Sequence, residues 1–350
     1  MTRTNGTNCS TRTDLKRHPR VRAIARGVGV AAFAALLAFA LAGCTKTAGT
    51  SAGNTAAPAG SGHTFPATIT DDASNTVTVK AAPQRIVSLA PANTETLFAL
   101  GLGDKVVGVT SYDDYPPEVA KIAKVGDFQG PNVEAVAAAK PDLVLATSGV
   151  QADVVKKLEA LGATVVVIDP QTLEGVYTDI QRVGTITGTS PAAEGLVAQM
   201  KAKVASVQKA VASEPKVSAF IEIGQNPLYT AGTGTLMDEL VTLAGGTNVV
   251  AQPGYVSYSA EQLIKDDPQV YMATKGSSSD PASIAKRPGY DKIAAVKDGW
   301  IVILDDSIVS RPGPRIVDGL EAVAKALHPN AFRAATGAGA GASGGATPTP

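Results

Sequence analysis

Six aromatic side chains lie outside the apolar runs of this chain, and they are the residues best suited to hold a ligand. Tyr112, Tyr115, Phe128, Tyr229, Tyr255 and Tyr258 all fall in segments read as loops between strands and helices. Aromatic residues make up only 5% of the sequence, so the placement of these six is informative. A single loop tyrosine is more often structural than functional. A set of flat rings facing one another across a cleft is a rigid, low-entropy platform for a large, flat ligand.

Parts for bond-making chemistry are scarce. The histidines are His18, His63 and His328, in the leader, in a low-complexity stretch and at the end of the last predicted helix. That distribution leaves no Ser-His-Asp arrangement and no His-rich metal site in the folded body. Cys9 and Cys44 both lie in the N-terminal leader region, which excludes an internal disulfide or a thiolate site from the body. Asp113, Asp114 and Glu222 are available for acid-base work. The turns Gly224-Gln225-Asn226 and Gly232-Thr233-Gly234 lack both the Gly-Lys-Ser/Thr of a phosphate loop and the spacing of a dinucleotide fingerprint. The expectation is a binding protein, not an enzyme, with no catalytic residue, no resident metal and no cofactor.

The elements that must position the rings follow from periodicity. With 350 residues and 44% hydrophobic content the chain can bury more than one core, and its length suggests about two domains. Its net charge is zero and no basic stripe carries interleaved aromatics, so nucleic acid is excluded as a partner. Leu196, Val197, Met200, Val204, Val207 and Val211 recur at helical spacing from Ser190 to Ser213, with Ser190 expected as N-cap, Pro191 at the first helical position and Pro215 as the stop. On either side, short β-branched runs alternate with helical patterns, as in βαβ units. The fold class expected is therefore two Rossmann-like α/β lobes joined by one long rigid spine helix, with the ligand cleft between them. The segments are a signal peptide (1–43), a flexible tether (44–64), an N-terminal α/β lobe (65–172), connecting helices including the spine (173–214), a C-terminal α/β lobe that repeats the plan (215–330) and a disordered tail (331–350).

The leader has a basic stretch (Arg12, Lys16, Arg17, Arg20, Arg22, Arg26), an apolar run from Val28 to Ala40 that is short for a bilayer, and the small residues Leu41-Ala42-Gly43. These are the parts of an export signal. Leu41-Ala42-Gly43-Cys44 resembles the lipobox of bacterial lipoproteins. The resemblance implies that Cys44 is acylated, becomes the mature N-terminus and holds the protein on the extracytoplasmic face of the cell membrane.

A wider resemblance rests on a series of motifs in order. Arg85-Ile86-Val87-Ser88-Leu89-Ala90-Pro91 through Gly103, Val106-Val107-Gly108-Val109-Thr110-Ser111-Tyr112, Tyr115-Pro116, Asn132-Val133-Glu134, Lys140-Pro141-Asp142-Leu143-Val144, Pro227-Leu228-Tyr229, Leu243-Ala244-Gly245-Gly246 and Ser257-Tyr258-Ser259-Ala260-Glu261 resemble the substrate-binding proteins of ABC importers for vitamin B12, haem and ferric siderophores. The likeness runs from about residue 65 to 328. It implies that Glu134 and Glu261 dock onto arginines of a permease dimer that works with its ATPase. By itself each glutamate also reads as a solvated residue favoured at a helix N-terminus. Similarity to the vitamin B12 branch implies that Tyr112, Phe128, Tyr255 and the loop from Asp306 to Arg311 line the cleft, and the ligand-binding residues expected are Tyr112, Phe128, Tyr229, Tyr255 and Arg311. Phe128, Tyr255 and Ile308 stand where that branch often places Trp. Cobalamin or another corrinoid is the favoured ligand. A ferric siderophore or haem is the alternative, with Arg311 and Lys275 available to meet an anionic chelate.

Overall fold

A computed structural model describes residues 64–333. The described chain opens with a hairpin, β1 (Ala67–Thr70) and β2 (Thr76–Val79), paired antiparallel and buried on one face only. Next come β3 (Ile86–Ser88), α1 (Pro91–Ala99), β4 (Val106–Gly108), α2 (Val133–Ala138), β5 (Leu143–Ala146), α3 (Ala152–Ala160) and β6 (Val165–Val167). β3, β5 and β6 are apolar but for Ser88 and fully buried, the composition of parallel strands covered on both faces. They form a parallel sheet in the order β4-β3-β5-β6. The chain leaves β3 toward one side and returns to β5 on the other. Such a reversal opens a crevice at the carboxyl ends of the two strands.

Two helices follow, α4 (Leu173–Thr187) and α5 (Ser190–Val211). α4 is capped by the Thr172 side chain and ends on Gly188 in the left-handed conformation. α5 has 22 residues, hence a length of about 33 Å. Its N-cap is Thr189 and not Ser190, because Ser190 already lies in the first turn ahead of Pro191. Val197, Met200, Val207 and Val211 of α5 belong to one apolar cluster that takes in Ile86, Leu143 and Leu145 before it and Val217, Leu240 and Leu320 after it.

The second sheet departs from the expected repetition. It contains β7 (Val217–Gly224), β8 (Tyr229–Ala231), β9 (Gly246–Asn248), β10 (Tyr255–Ser257), β11 (Val270–Thr274) and β12 (Ile301–Leu304), and it is mixed. β7, β9, β11 and β12 are parallel, whereas β8 and β10 run antiparallel at one side. α6 (Leu236–Leu243), α7 (Ala260–Asp266), α8 (Pro281–Ala285), α9 (Ala294–Lys297), α10 (Asp306–Val309), α11 (Ile316–Leu327) and α12 (Pro329–Arg333) complete the described chain. Residues 331–333 are therefore helical, although the tail was expected to begin at 331. Tyr229 and Tyr255 lie on strands and not in loops. Tyr258 is a core residue at 8% exposure, with its ring 5.7 Å from that of Phe220. The expected signal peptide, Cys9 and Cys44, and all of the tether except its last residue lie outside the described residues. Among the described residues, no helix is long and apolar enough to cross a membrane.

Candidate functional site

A well-formed concavity with aromatic walls lies where the sheet topology predicts it. A cavity of about 340 Å³ opens at the carboxyl ends of β3 and β5, lined on the first-lobe side by Ala90, Pro91, Asn93, Tyr112, Phe128 and Thr147. Asp306, Ser310 and Arg311 close it from the second lobe. A second hollow of about 290 Å³ is lined by Ile223, Met237, Tyr255, Thr274 and Gly276 at the ends of β7 and β11. Asp306 and Ser310 border both hollows, so the two are one continuous cleft between the lobes. Carboxyl ends of parallel strands meet it from either side.

Local structure explains how each ring is presented. Tyr112 lies inside a tight turn closed by the Asp113 carboxylate, which accepts the Thr110 amide at 3.0 Å and the Thr110 and Thr94 hydroxyls. Burial pushes the Asp113 carboxyl above its ordinary range, against the lowering effect of those hydrogen bonds. The Tyr112 ring is left 58% exposed. Phe128 is half-buried on a loop whose entry needs Gly126: φ is +118°, and a Cβ there would lie 2.6 Å from the Asn132 nitrogen. Tyr255 is 45% exposed on edge strand β10. An exposed tyrosine of this size costs hydrophobic burial unless something covers it, and all three rings border the same cleft.

Two sequence-predicted residues take other positions. Tyr229 borders neither hollow; its hydroxyl donates to the Tyr255 carbonyl at 2.9 Å and braces that strand. Ile308 lies inside α10 with its side chain against the main apolar cluster, so it presents no platform to the cleft. Asp306, Ser310 and Arg311 of the same segment do line it.

Arg311 reaches the cleft with its charge already engaged. Its guanidinium donates to both Asp114 oxygens, at 2.6 and 3.2 Å, and to Glu95 at 3.3 Å. These bonds from Arg311 hold the Asp114 carboxyl below its usual range. Glu95, 3% exposed on α1, also receives a two-pronged pair from Arg315, at 2.6 and 2.9 Å. The Arg315 guanidinium lies 3.9 Å from the centre of the Tyr115 ring. Gly313, between these arginines, approaches α1 so closely that a Cβ would sit 3.2 Å from the Ala92 carbonyl. Glu95 and Asp114 of the first lobe are thus clasped to Arg311 and Arg315 of the second, directly beside the cleft. The expected role of Lys275 changes likewise, since its ammonium pairs with Asp305 at 3.0 Å.

Sequence reading missed the clasp because its partners are 197 to 220 residues apart and no local spacing joins them. It also passed over Asp169, whereas Asp306 falls in the loop expected to line the cleft. Both line the cleft, and Arg311 is the one basic residue among the described lining residues.

Glu134 and Glu261 occupy matching positions away from these hollows. Each is the second residue of a short helix, α2 and α7, and each is exposed. The caps match as well: the Asn132 side chain accepts from Ala135 and the Ser259 side chain from Gln262, both at 3.0 Å. Neither glutamate has an ion pair or hydrogen-bond partner among the described residues. No group of His, Cys, Asp and Glu there is arranged to hold a metal ion.

Comparison with known proteins adds the family context. Residues 86–308 match the family described as periplasmic binding protein. The uncharacterized ABC transporter substrate-binding lipoprotein YvrC of Bacillus subtilis is 40% identical over 278 residues, covering 77% of this chain and 88% of its own length. The vitamin B12-binding protein of Salmonella typhimurium is 32% identical over 257 residues, covering 71% of this chain and 91% of its own. Among solved structures, a possible iron-binding, periplasmic solute-binding protein from Staphylococcus epidermidis superposes with a TM-score of 0.65 at 35% identity, over 71% of this chain and all of the other.

Proposed function

The chain belongs to the periplasmic binding protein family, and from that premise we propose that it captures a corrinoid such as cobalamin outside the cytoplasm and delivers it to an ABC importer. The lobes of this reading are 65–172 and 215–330, with 173–214 as the rigid connection. The observation that carries the ligand assignment is the cleft's combination of flat rings with no unengaged cation. Tyr112 and Phe128 on one wall and Tyr255 on the other offer faces to a broad, flat ring system. Burying an aromatic ring removes about 150–250 Å² from water, so at about 25 cal/mol/Å² each contributes at most a few kcal/mol. Arg311 is paired with two carboxylates, and Asp169 and Asp306 add negative charge. An anionic chelate entering here meets repulsion before any compensating base, whereas a ligand without net negative charge does not. The likeness to a protein named for vitamin B12 binding points the same way.

A second reading, a ferric siderophore or haem, is favoured by the likeness to the possible iron-binding protein and by the presence of Arg311 at the cleft. A thermal-shift and absorbance screen with cobalamin, haem and several ferric siderophores separates the two. At a hundredfold excess over its dissociation constant, the true ligand adds about 2.7 kcal/mol of stability. Cobalamin giving no shift while an anionic chelate does would overturn the corrinoid assignment. Recovery of chemically altered ligand would overturn the non-enzymatic reading.

Glu134 and Glu261 serve the permease dimer with its ATPase in this account. Their support is the twin setting: one exposed, unpaired carboxylate at the start of a capped helix in each lobe. Close charge pairs across an interface have shown couplings of about 1.5–7 kcal/mol, enough to decide docking. Replacing both by Ala should abolish uptake into vesicles carrying the cognate importer and leave ligand affinity unchanged. Retained transport, or lost affinity, would refute the assignment. Cys44 supplies the lipid anchor on the outer face, and Cys44→Ser should release the protein from the membrane.

A further inference from the structure

The cleft loops of the first lobe converge on one side chain that does not itself line the cleft. Gln151 follows β5 in a single turn of 3-10 helix (Gly149–Gln151) and is fully buried at 0% exposure. Its Nε2 donates to the Leu89 carbonyl at 2.7 Å and to the Phe128 carbonyl at 2.8 Å. Its Oε1 accepts the Thr147 amide at 3.0 Å. Both amide hydrogens and an acceptor lone pair are therefore used, and all three partners are backbone groups. Leu89 and Ala90 follow β3, Thr147 follows β5, and Phe128 carries the ring; Ala90, Thr147 and Phe128 all line the cavity.

That arrangement has a physical consequence. β3 and β5 pair through Ser88 and Leu145, the Leu89 amide still donates to the Leu145 carbonyl at 2.8 Å, and the crevice opens beyond. Past that point the ladder no longer fixes their separation or the height of the Phe128 loop. Near its entry that loop is also tied to the lobe by the Ser111 amide to the Gly126 carbonyl at 2.8 Å and by the Val125 amide to the Val109 carbonyl at 2.9 Å. Resting on the corrinoid reading of the cleft, we infer that Gln151 is its positioning residue: the carboxamide sets the spacing of the two strand ends and holds the Phe128 ring at the height at which it meets the ligand. A side chain of the same shape with different polarity cannot substitute. Gln151→Glu replaces the double donor with a carboxylate facing two carbonyl oxygens, and Gln151→Met leaves all three backbone groups unpaired.

The test combines two readouts on the full chain, with a thermal midpoint to confirm folding. Hydrogen exchange of the peptide covering 126–132 should quicken at least tenfold in Gln151→Met while that of β11 is unchanged. Affinity for cobalamin should fall at least tenfold in Gln151→Met and by less than twofold when the same change is made in a Phe128→Ala background, because the effect travels through the ring. Gln151→Glu repeats both measurements should the Met variant not fold. Equal losses of affinity in both backgrounds, unchanged loop exchange, or failure of both variants to fold would overturn the inference, since a general core residue behaves so. If wild-type protein binds no cobalamin, the corrinoid reading fails, and the exchange result alone then decides whether Gln151 positions the loop.

Discussion

Glu95 and Glu222 are each at most 3% exposed, and each is met by arginine, yet they hold different things together. Glu222 is internal to the second lobe. Arg287 donates to it at 2.6 and 3.2 Å, and the Tyr271 and Ser279 hydroxyls donate as well. Burial alone would raise its carboxyl, but the bonds from Arg287, Ser279 and Tyr271 bring it below the ordinary range. Glu95 instead belongs to one lobe and its arginines to the other. A buried carboxylate satisfied within one lobe stabilises that lobe; the same group satisfied across the cleft fixes how the lobes stand to one another. A third carboxylate sharpens the contrast. Asp179 on α4 shares the single guanidinium of Arg182 with Asp72 and leaves one oxygen unpaired, and burial followed by the neighbouring Asp72 pushes it up to about 8.

The largest effect expected is from Glu222→Ala, which strands Arg287 in the lobe interior. Breaking such a pair costs about 3–5 kcal/mol, so the urea midpoint should fall steeply while the surviving folded protein binds ligand normally. Altered affinity without altered stability would contradict a purely internal role. Next comes Asp179. Its folded pKa lies above the unfolded value, so the folded state binds the proton more tightly; stability is fully present below about pH 4 and is lost as pH rises through about 8. Wild-type protein should lose stability from this group between pH 4 and 9. Asp179→Asn should flatten that loss, making the variant the more stable at pH 9, as denaturant titrations at the two pH values would register. Smaller again is Glu95→Gln, at about 1–3 kcal/mol, because Arg311 keeps Asp114 and Arg315 keeps the Tyr115 ring. Here affinity should drop as well, since freed lobes must be ordered on binding, and small-angle scattering should show a broader distribution of lobe separations. Unchanged scattering would remove the distinction between the two glutamates.

How much of this was legible in the sequence depended on how local its cause is. Leu143–Ala146 was readable to the residue because a fully apolar run before a turn has one reading as a covered parallel strand. α4 and α5 were readable because their stripes are long and their ends carry Thr172, Gly188 and Pro191. β8, β9 and β10 were not, at three residues each, because so short a strand is made by its partners and not by its own pattern. Tyr258 looked like a cleft residue because its flanks are polar, but packing against Phe220 decided its burial. Tyr112, Phe128 and Tyr255 were visible in the sequence as rings outside the apolar runs, although Tyr255 was read in a loop and lies on β10; that they border one cleft is a tertiary fact. Arg311 was legible as a cleft residue and not as an engaged one, since Glu95 and Asp114 are about two hundred residues away in sequence.

The central claim is that one ligand is held between the two lobes, and an equilibrium titration with cobalamin tests it most directly. The wild type, Phe128→Ala and Tyr255→Ala should be titrated side by side, with unfolding midpoints measured without ligand. The account predicts one ligand per chain and at least tenfold weaker binding, about 1.4 kcal/mol, for each substitution, although the two rings belong to different lobes and neither change shifts the midpoint appreciably. Binding that is lost with one ring and indifferent to the other would place the ligand on a single lobe and contradict the account.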